Sequence, residues 1–127
     1  MDKIHIGLGE NAPPVGMSAA VRFGELIAVS GQVAMNERGE LVGRGDFAAQ
    51  AEQCFANIAR VLAQAGGSLK DVVSLTTYLT SRELAPLFLQ ARARHFPERP
   101  PATTTVVAQL LSPDFLIEIQ ALAAVSR

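Results

Sequence analysis

Few side chains in this sequence have the type and setting to do chemistry. Near the C-terminal end, Glu118 sits between Ile117 and Ile119, a carboxylate inside an otherwise apolar ribbon. A carboxylate is a group capable of acid–base work, so this one is either a site or a solvated surface residue. The second candidate is Ser30-Gly31-Gln32. There Gly31 removes the side chain where a strand ends, and Ser30 offers a hydroxyl beside the gap. Both have a plainer reading. Period two puts Glu118, Gln120 and Leu122 on one strand face, which a solvated sheet surface would also explain. Ser30-Gly31 is equally an ordinary strand-to-loop transition. Cys54 falls on an apolar stripe and reads as a packed thiol, not a nucleophile. With His5 and His95 the only histidines, no metal constellation is visible, and His95 reads as a surface or helix-cap residue. No cofactor is expected.

The elements that must carry these residues can be read along the chain. Ile4, Ile6 and Leu8 alternate as a weak edge strand, and Glu10 to Gly16 is irregular because it holds Pro13-Pro14. Ala19 to Ser30 predicts a hairpin turning at Phe23-Gly24-Glu25, with a short strand continuing over Gln32 to Met35 and a turn at Asn36 to Gly39. Asp46 to Ala65 is the clearest helix. Phe47, Ala51, Cys54, Phe55, Ile58, Val61, Leu62 and Ala65 recur at helical spacing, with Gln50, Gln53, Asn57, Arg60 and Gln64 on the other face. Asp46 is its N-cap and Gly66-Gly67 its stop. Asp71 to Thr80 alternates as a strand, with Val73, Leu75, Thr77 and Leu79 on one face. Arg82 to His95 predicts a second helix with Pro86 in its first turn, an apolar stripe through Leu84, Leu87, Phe88, Ala91 and His95, and Arg92 and Arg94 on a solvated face. Arg99 to Ala124 reads as a hairpin, two strands joined by a short loop: Thr103 to Val107, a turn at Ser112-Pro113-Asp114, then Leu116 to Val125. The order β-β-β-α-β-α-β-β predicts one α+β domain over residues 1–127, a single mixed sheet with both helices packed on one face.

Composition narrows the function classes. Eleven basic and twelve acidic residues nearly balance, and no basic run with interleaved aromatics suggests nucleic acid as a partner. A single cysteine excludes an internal disulfide and fits a reducing compartment. Met1 to Gly9 lacks a signal-peptide pattern and no apolar run approaches ~20 residues, so a soluble cytoplasmic protein without a membrane partner is expected. Hydrophobic residues make up 49% and charged residues 18%, the latter below the ~25% typical of soluble domains. Scarce charge on a small domain implies exposed apolar area, and the uncovered sheet face is the natural place for subunits to meet.

Taken together, Ser30-Gly31-Gln32, the helix end Ala65-Gly66-Gly67, Asp71-Val72-Val73, Tyr78-Leu79 and Ile117-Glu118-Ile119-Gln120-Ala121 resemble the RidA/YjgF family. The resemblance runs from about Asn11 to Ala124. It implies a chorismate-mutase-like α+β domain assembled as a homotrimer, with clefts between subunits that take a small metabolite. It also implies hydrolysis of reactive 2-imino and enamino acids to 2-oxo acids and ammonia.

Carried over residue by residue, the resemblance makes Ser30 the family serine and Glu118 the carboxylate that positions the attacking water, so Ser30 and backbone N–H groups would polarise the substrate. Gly31, Met17, Leu89 and Thr103 become substrate-binding positions. The arginine that clamps the substrate carboxylate in the deaminating subgroup falls, counting back from Ile117, at Thr103; Met17 stands for a tyrosine and Leu89 for an asparagine. Charge-assisted bonds of the kind a guanidinium fork makes are worth about 1.5–3 kcal/mol each, so losing the fork would cost ~10²-fold in substrate capture. The cleft would then suit a less polar or uncharged ligand; Arg99 would have to reach back across Pro100-Pro101 to restore the charge. Two functions follow: an imine/enamine deaminase, a hydrolase acting on C–N bonds, or a trimeric small-molecule-binding protein without that chemistry. A ribonuclease reading finds no support in the charge pattern.

Overall fold

A computed structural model describes residues 2–9 and 12–126, so Glu10 and Asn11, which open the irregular stretch before Gly16, lie outside the described residues. The element order matches the predicted one. Strands β1 (Lys3–Ile6), β2 (Ala20–Phe23) and β3 (Leu26–Gln32) precede helix α1 (Phe47–Gln64). Then come β4 (Val72–Leu79), α2 (Ala85–His95), β5 (Ala102–Val107) and β6 (Ile117–Ala124), with 3-10 turns at Leu69–Asp71 and Arg82–Leu84. The fold is α+β: a six-stranded mixed sheet in the order β1-β2-β3-β6-β4-β5. The β4–β5 pair is parallel and the other neighbours are antiparallel.

Alternation along the strands makes the sheet two-sided. On β6, Ile117, Ile119, Ala121 and Ala123 are buried, while Glu118, Gln120, Leu122 and Ala124 point the other way. Ile27 and Val29 of β3 and Leu75 and Leu79 of β4 join the buried side. There they meet Phe55, Ile58 and Leu62 of α1 and Phe88 and Ala91 of α2 in one cluster. Both helices thus cover one face, and the face bearing Glu118 is left open. The α1 boundaries follow the sequence signals. Asp46 Oδ1 accepts from the Ala49 backbone N–H at 3.1 Å. At the other end Gly66 adopts φ +86°, a left-handed turn that favours glycine, and the Gly67 N–H returns to the Leu62 carbonyl at 2.8 Å.

Several expectations need correction. The last two strands are not a hairpin. The α2 crossover sets β5 parallel to β4 at the sheet edge, and β6 enters between β3 and β4, the slot that buries its four inward apolar residues. The strand expected over Gln32 to Met35 is instead the end of β3 plus a single bridge, Met35 to Leu41. Leu8 lies beyond β1 and is exposed, as is Leu87 on α2. A bulge between Val72 and Ser74 shifts the β4 register against β6, burying Val72 and exposing Val73, the reverse of strict alternation.

Two residues assigned to the polar face of α1 are buried, and for a non-local reason. Gln50 donates to the Gly43 and Asp114 carbonyls at 3.1 and 2.9 Å and accepts from the Leu116 N–H at 2.9 Å. Asn57 donates to the Val33 and Met35 carbonyls at 3.0 and 2.9 Å. Each amide satisfies backbone groups of a loop that no strand can serve. One fastens the entry to β6 and the other the exit from β3, the two strands that carry Glu118 and Gly31.

Candidate functional site

The antiparallel pairing of β3 with β6 decides what stands beside Glu118. Its register runs Val29 to Ala121 and then Gln32 to Ile119, so β3 holds one extra residue at Ser30-Gly31. This bulge is closed locally by Gln32, whose Nε2 donates to the Ser30 carbonyl at 3.0 Å. Opposite it the Glu118 carboxylate lies directly over Gly31. A Cβ at position 31 would overlap Glu118 Oε2 and come within 2.9 Å of its Cδ. Gly31 therefore serves by having no side chain: the carboxylate occupies that volume.

Glu118 is half-buried, and among the described residues no group donates a hydrogen bond to its carboxylate and no cation lies within 4 Å. A carboxylate with unused lone pairs is a strong acceptor for a water or a ligand N–H. Its charge reaches beneath the sheet. Cys54 is packed in the core, with its thiol directed at the Ile117 carbonyl 3.9 Å away. Burial, reinforced by the Glu118 charge, pushes the Cys54 pKa up to about 12, so the thiol stays protonated, as expected of a packed cysteine.

The remaining predicted residues fall into two groups. Ser30 belongs with Gly31 and Glu118. Its hydroxyl donates to the Ser18 carbonyl at 2.7 Å, and Ser18 Oγ lies 3.0 Å from His5 Nδ1. The Ser30 proton is thus committed to the backbone, and its lone pairs are what remain for a ligand. Met17, next in the chain to Ser18, is exposed. Thr103 and Leu89 are elsewhere. Thr103 pairs with Leu75, whose side chain is in the core, so it faces the helix layer and the positions of β5 on the Glu118 side are Ala102, Thr104 and Val106. The Thr103 hydroxyl accepts from Arg92 Nη1 at 3.1 Å. Leu89 is exposed on α2, in the helix layer. Arg99 lines a groove of about 400 Å³ with Lys70, His95 and Phe96, away from Glu118.

Sequence reasoning missed one neighbour of Glu118 and the bond it makes to Gln120. Tyr78 stands directly opposite it on β4, and the Tyr78 hydroxyl donates to Gln120 Oε1 at 3.1 Å. With its oxygen so engaged, the exposed Gln120 amide keeps its nitrogen as a donor on the face that carries the carboxylate. Only the pairing of β4 with β6 could have revealed it. In the helix layer Arg94 is exposed, as a solvated face predicts, and Arg92 is half-buried. Arg94 pairs with Glu52 at 3.0 Å, and His95 meets the same carboxylate while stacking on Phe55 at 4.4 Å between ring centroids. Among the described residues no group of three metal-ligating side chains converges, and no helix is long and apolar enough to cross a membrane.

Known proteins share this architecture. The family described as Endoribonuclease L-PSP matches residues 9–125. The chain is similar to the 3-aminoacrylate deaminase RutC of Acinetobacter baylyi, 37% identical over 120 residues, covering 93% of this chain and 95% of that protein. It is 27% identical over 113 residues to the 2-iminobutanoate/2-iminopropanoate deaminase of Dermatophagoides farinae, covering 88% of each. Among solved structures, RidA from the Antarctic bacterium Psychrobacter sp. superposes with a TM-score of 0.83 at 31% identity, covering 95% of this chain and 98% of that one.

Proposed function

We propose that this chain, which belongs to the RidA/YjgF family, hydrolyses small imine or enamine intermediates to a carbonyl compound and ammonia in clefts formed between the subunits of a homotrimer. The observation that carries the reading is the Glu118 carboxylate, half-buried over Gly31 and without a hydrogen-bond donor among the described residues. Two relatives are named for deaminating 3-aminoacrylate and 2-iminobutanoate or 2-iminopropanoate, which supports the substrate class.

The chemistry asks little of the protein. Glu118 accepts a hydrogen bond from a water and takes its proton as the oxygen attacks the imine carbon. The C=N pair moves onto nitrogen, and Glu118 returns the proton it took to that nitrogen, giving the neutral carbinolamine. Glu118 then takes the carbinolamine hydroxyl proton and passes it to the amine as the C–N bond breaks, which expels ammonia and leaves the C=O bond. The Ser30 oxygen and the Gln120 amide stand on the same strands to orient the nitrogen and the oxygen. The open sheet face, with Leu26, Leu122, Ala124 and Val106, supplies the apolar surface that trimer assembly would cover.

The test generates 2-iminobutanoate in the presence of semicarbazide, which competes for the imine. Purified chain is expected to divert the imine to 2-oxobutanoate, and Glu118→Gln to abolish the diversion; wild-type protein without effect on the partition sinks the reading. Light scattering should give three times the chain mass. A trimeric binding protein without turnover is the second reading, favoured by the absence of a cation at Ala102, Thr104 and Val106 on the Glu118 side of β5. The ribonuclease implied by the family's description has no basic track here to hold phosphates.

A further inference from the structure

Arg92 is held in a way that sets it apart from the other arginines that the fold anchors. Arg38, Arg44, Arg60 and Arg94 each meet a carboxylate within 4 Å, and Arg22 donates to the Gly24 and Ala65 carbonyls. Arg92 has no acidic partner among the described residues. Its guanidinium carbon sits 5.4 Å from the Phe88 ring centroid, and Nη1 donates to the Thr103 hydroxyl at 3.1 Å. Phe88 is itself fully buried and stacked with Phe55, so the platform under the guanidinium is rigid. Two anchors fix the orientation of a half-buried cation and use one of its five N–H groups. The rest of the fork is free to take a carboxylate through two parallel charge-assisted bonds.

We infer that Arg92, held by Thr103 and Phe88, is the group that docks the carboxylate of the substrate, so that the ligand is a short-chain organic acid and not an uncharged molecule. Leu89 lies three residues earlier on the same helix face and is exposed, which gives the aliphatic end of such an acid a surface beside its charge. Thr103 then acts as a positioning residue: its hydroxyl presents an arginine from α2. Within one chain Arg92 stands in the helix layer and Glu118 on the opposite face of the sheet. A single small ligand reaches both only where a second copy brings its open face to the β5–α2 edge of the first. The inference rests on the deaminase reading for its substrate class, but its test reads binding and does not need turnover.

The experiment measures calorimetric affinities of the full chain for 2-oxobutanoate and for its uncharged amide, 2-oxobutanamide. Arg92→Gln is expected to weaken the acid by about 10- to 100-fold and leave the amide within about twofold. Arg92→Lys, which keeps the charge and loses the fork, should fall between. Thr103→Val should weaken the acid by a few-fold in the same direction. In the imine assay the Arg92→Gln loss should appear in KM with kcat little changed. Equal affinity of wild type and Arg92→Gln for the acid overturns the inference; so does an equal loss for acid and amide, or a wild-type chain with no measurable affinity for the acid. If Arg92→Gln does not fold, Arg92→Lys and Thr103→Val carry the same comparison. Should hydrolysis depend on Glu118 while acid binding ignores Arg92, the inference fails and the deaminase reading stands. Arg92-dependent acid binding without hydrolysis upholds the inference and overturns the deaminase reading.

Discussion

Gly31→Ala isolates the placement of Glu118 from its chemistry. The added methyl would lie 2.9 Å from Glu118 Cδ and 3.2 Å from Cγ, against the ~3.5–4.0 Å of an ordinary carbon–carbon contact. Relief requires the carboxylate to move by about 1 Å, and misplacement on that scale costs ~10²-fold in rate. The backbone has no reason to resist: Gly31 is not among the residues with positive φ, and the atoms met belong to the far end of a flexible side chain. Stability should therefore change by less than about 1 kcal/mol, with the alanine's smaller unfolded-state entropy partly offsetting the displacement. The assay is semicarbazide-competed imine hydrolysis alongside a thermal melt. The expected outcome is ~10²-fold lower kcat/KM with a melting temperature within a few degrees of wild type. A cycle with Glu118→Ala adds a sharper condition, because once the carboxylate is gone the methyl has nothing left to displace. The double variant should be no worse than Glu118→Ala alone. Additive losses, or a Gly31→Ala protein with full activity, would refute the reasoning.

Three further outcomes are expected. Thr77 is fully buried on β4 and its hydroxyl has no partner among the described residues; Thr77→Val keeps the shape and removes an unsatisfied group, so it should raise stability by about 1 kcal/mol in a denaturant titration. Gln50→Leu should lower stability by about 3 kcal/mol, because the Gly43 and Asp114 carbonyls and the Leu116 N–H lose their partner together. Hydrogen exchange in the segment leading into β6 should accelerate in that variant. The hydrogen bond from His95 is the largest cause holding the Glu52 carboxyl below its ordinary value of 4.5, and Arg94 lowers it further. A carboxylate depressed on folding contributes stability that is complete above its unfolded pKa and is lost as pH falls through the folded one. Melts between pH 3 and 7 should therefore show a decline beginning below about pH 4.5 that Glu52→Gln reduces.

What was legible in the sequence was whatever a local pattern controls. Helix α1 announced itself by its apolar period, its Asp46 cap and its Gly66 stop, and the β2–β3 turn by Gly24. Glu118 and Gly31 were each marked by being out of place, a charge in an apolar run and a gap at a strand end. Their contact was not legible, because it depends on a β3–β6 pairing across most of the chain and on a one-residue bulge. The short loop between β5 and β6 suggested a hairpin, yet burial of Ile117, Ile119, Ala121 and Ala123 outweighed proximity. Gln50 and Asn57 matched the polar face of a helix by type, and only the loops they serve explain why they are inside. Counting back from Ile117 reached Thr103 but carried no information about which face of β5 it occupies. That face is set by the parallel register with Leu75, which turns Thr103 to the helices and to Arg92.

The position of β6 has a consequence for how the chain comes to be folded. It is the last of the six strands to be synthesised and the one that joins β1-β2-β3 to β4-β5. Until it emerges, both halves expose unpaired strand edges and the part of α1 that packs on β6 has no strand beneath it. The pairing that closes the sheet is long-range, the kind that forms slowly because chain entropy is spent before contacts repay it. A nascent chain is therefore held open until β6 is available and is prone to edge-to-edge association in the meantime. The same closing step lays Glu118 over Gly31, so the carboxylate reaches its place only in a molecule whose sheet is already complete.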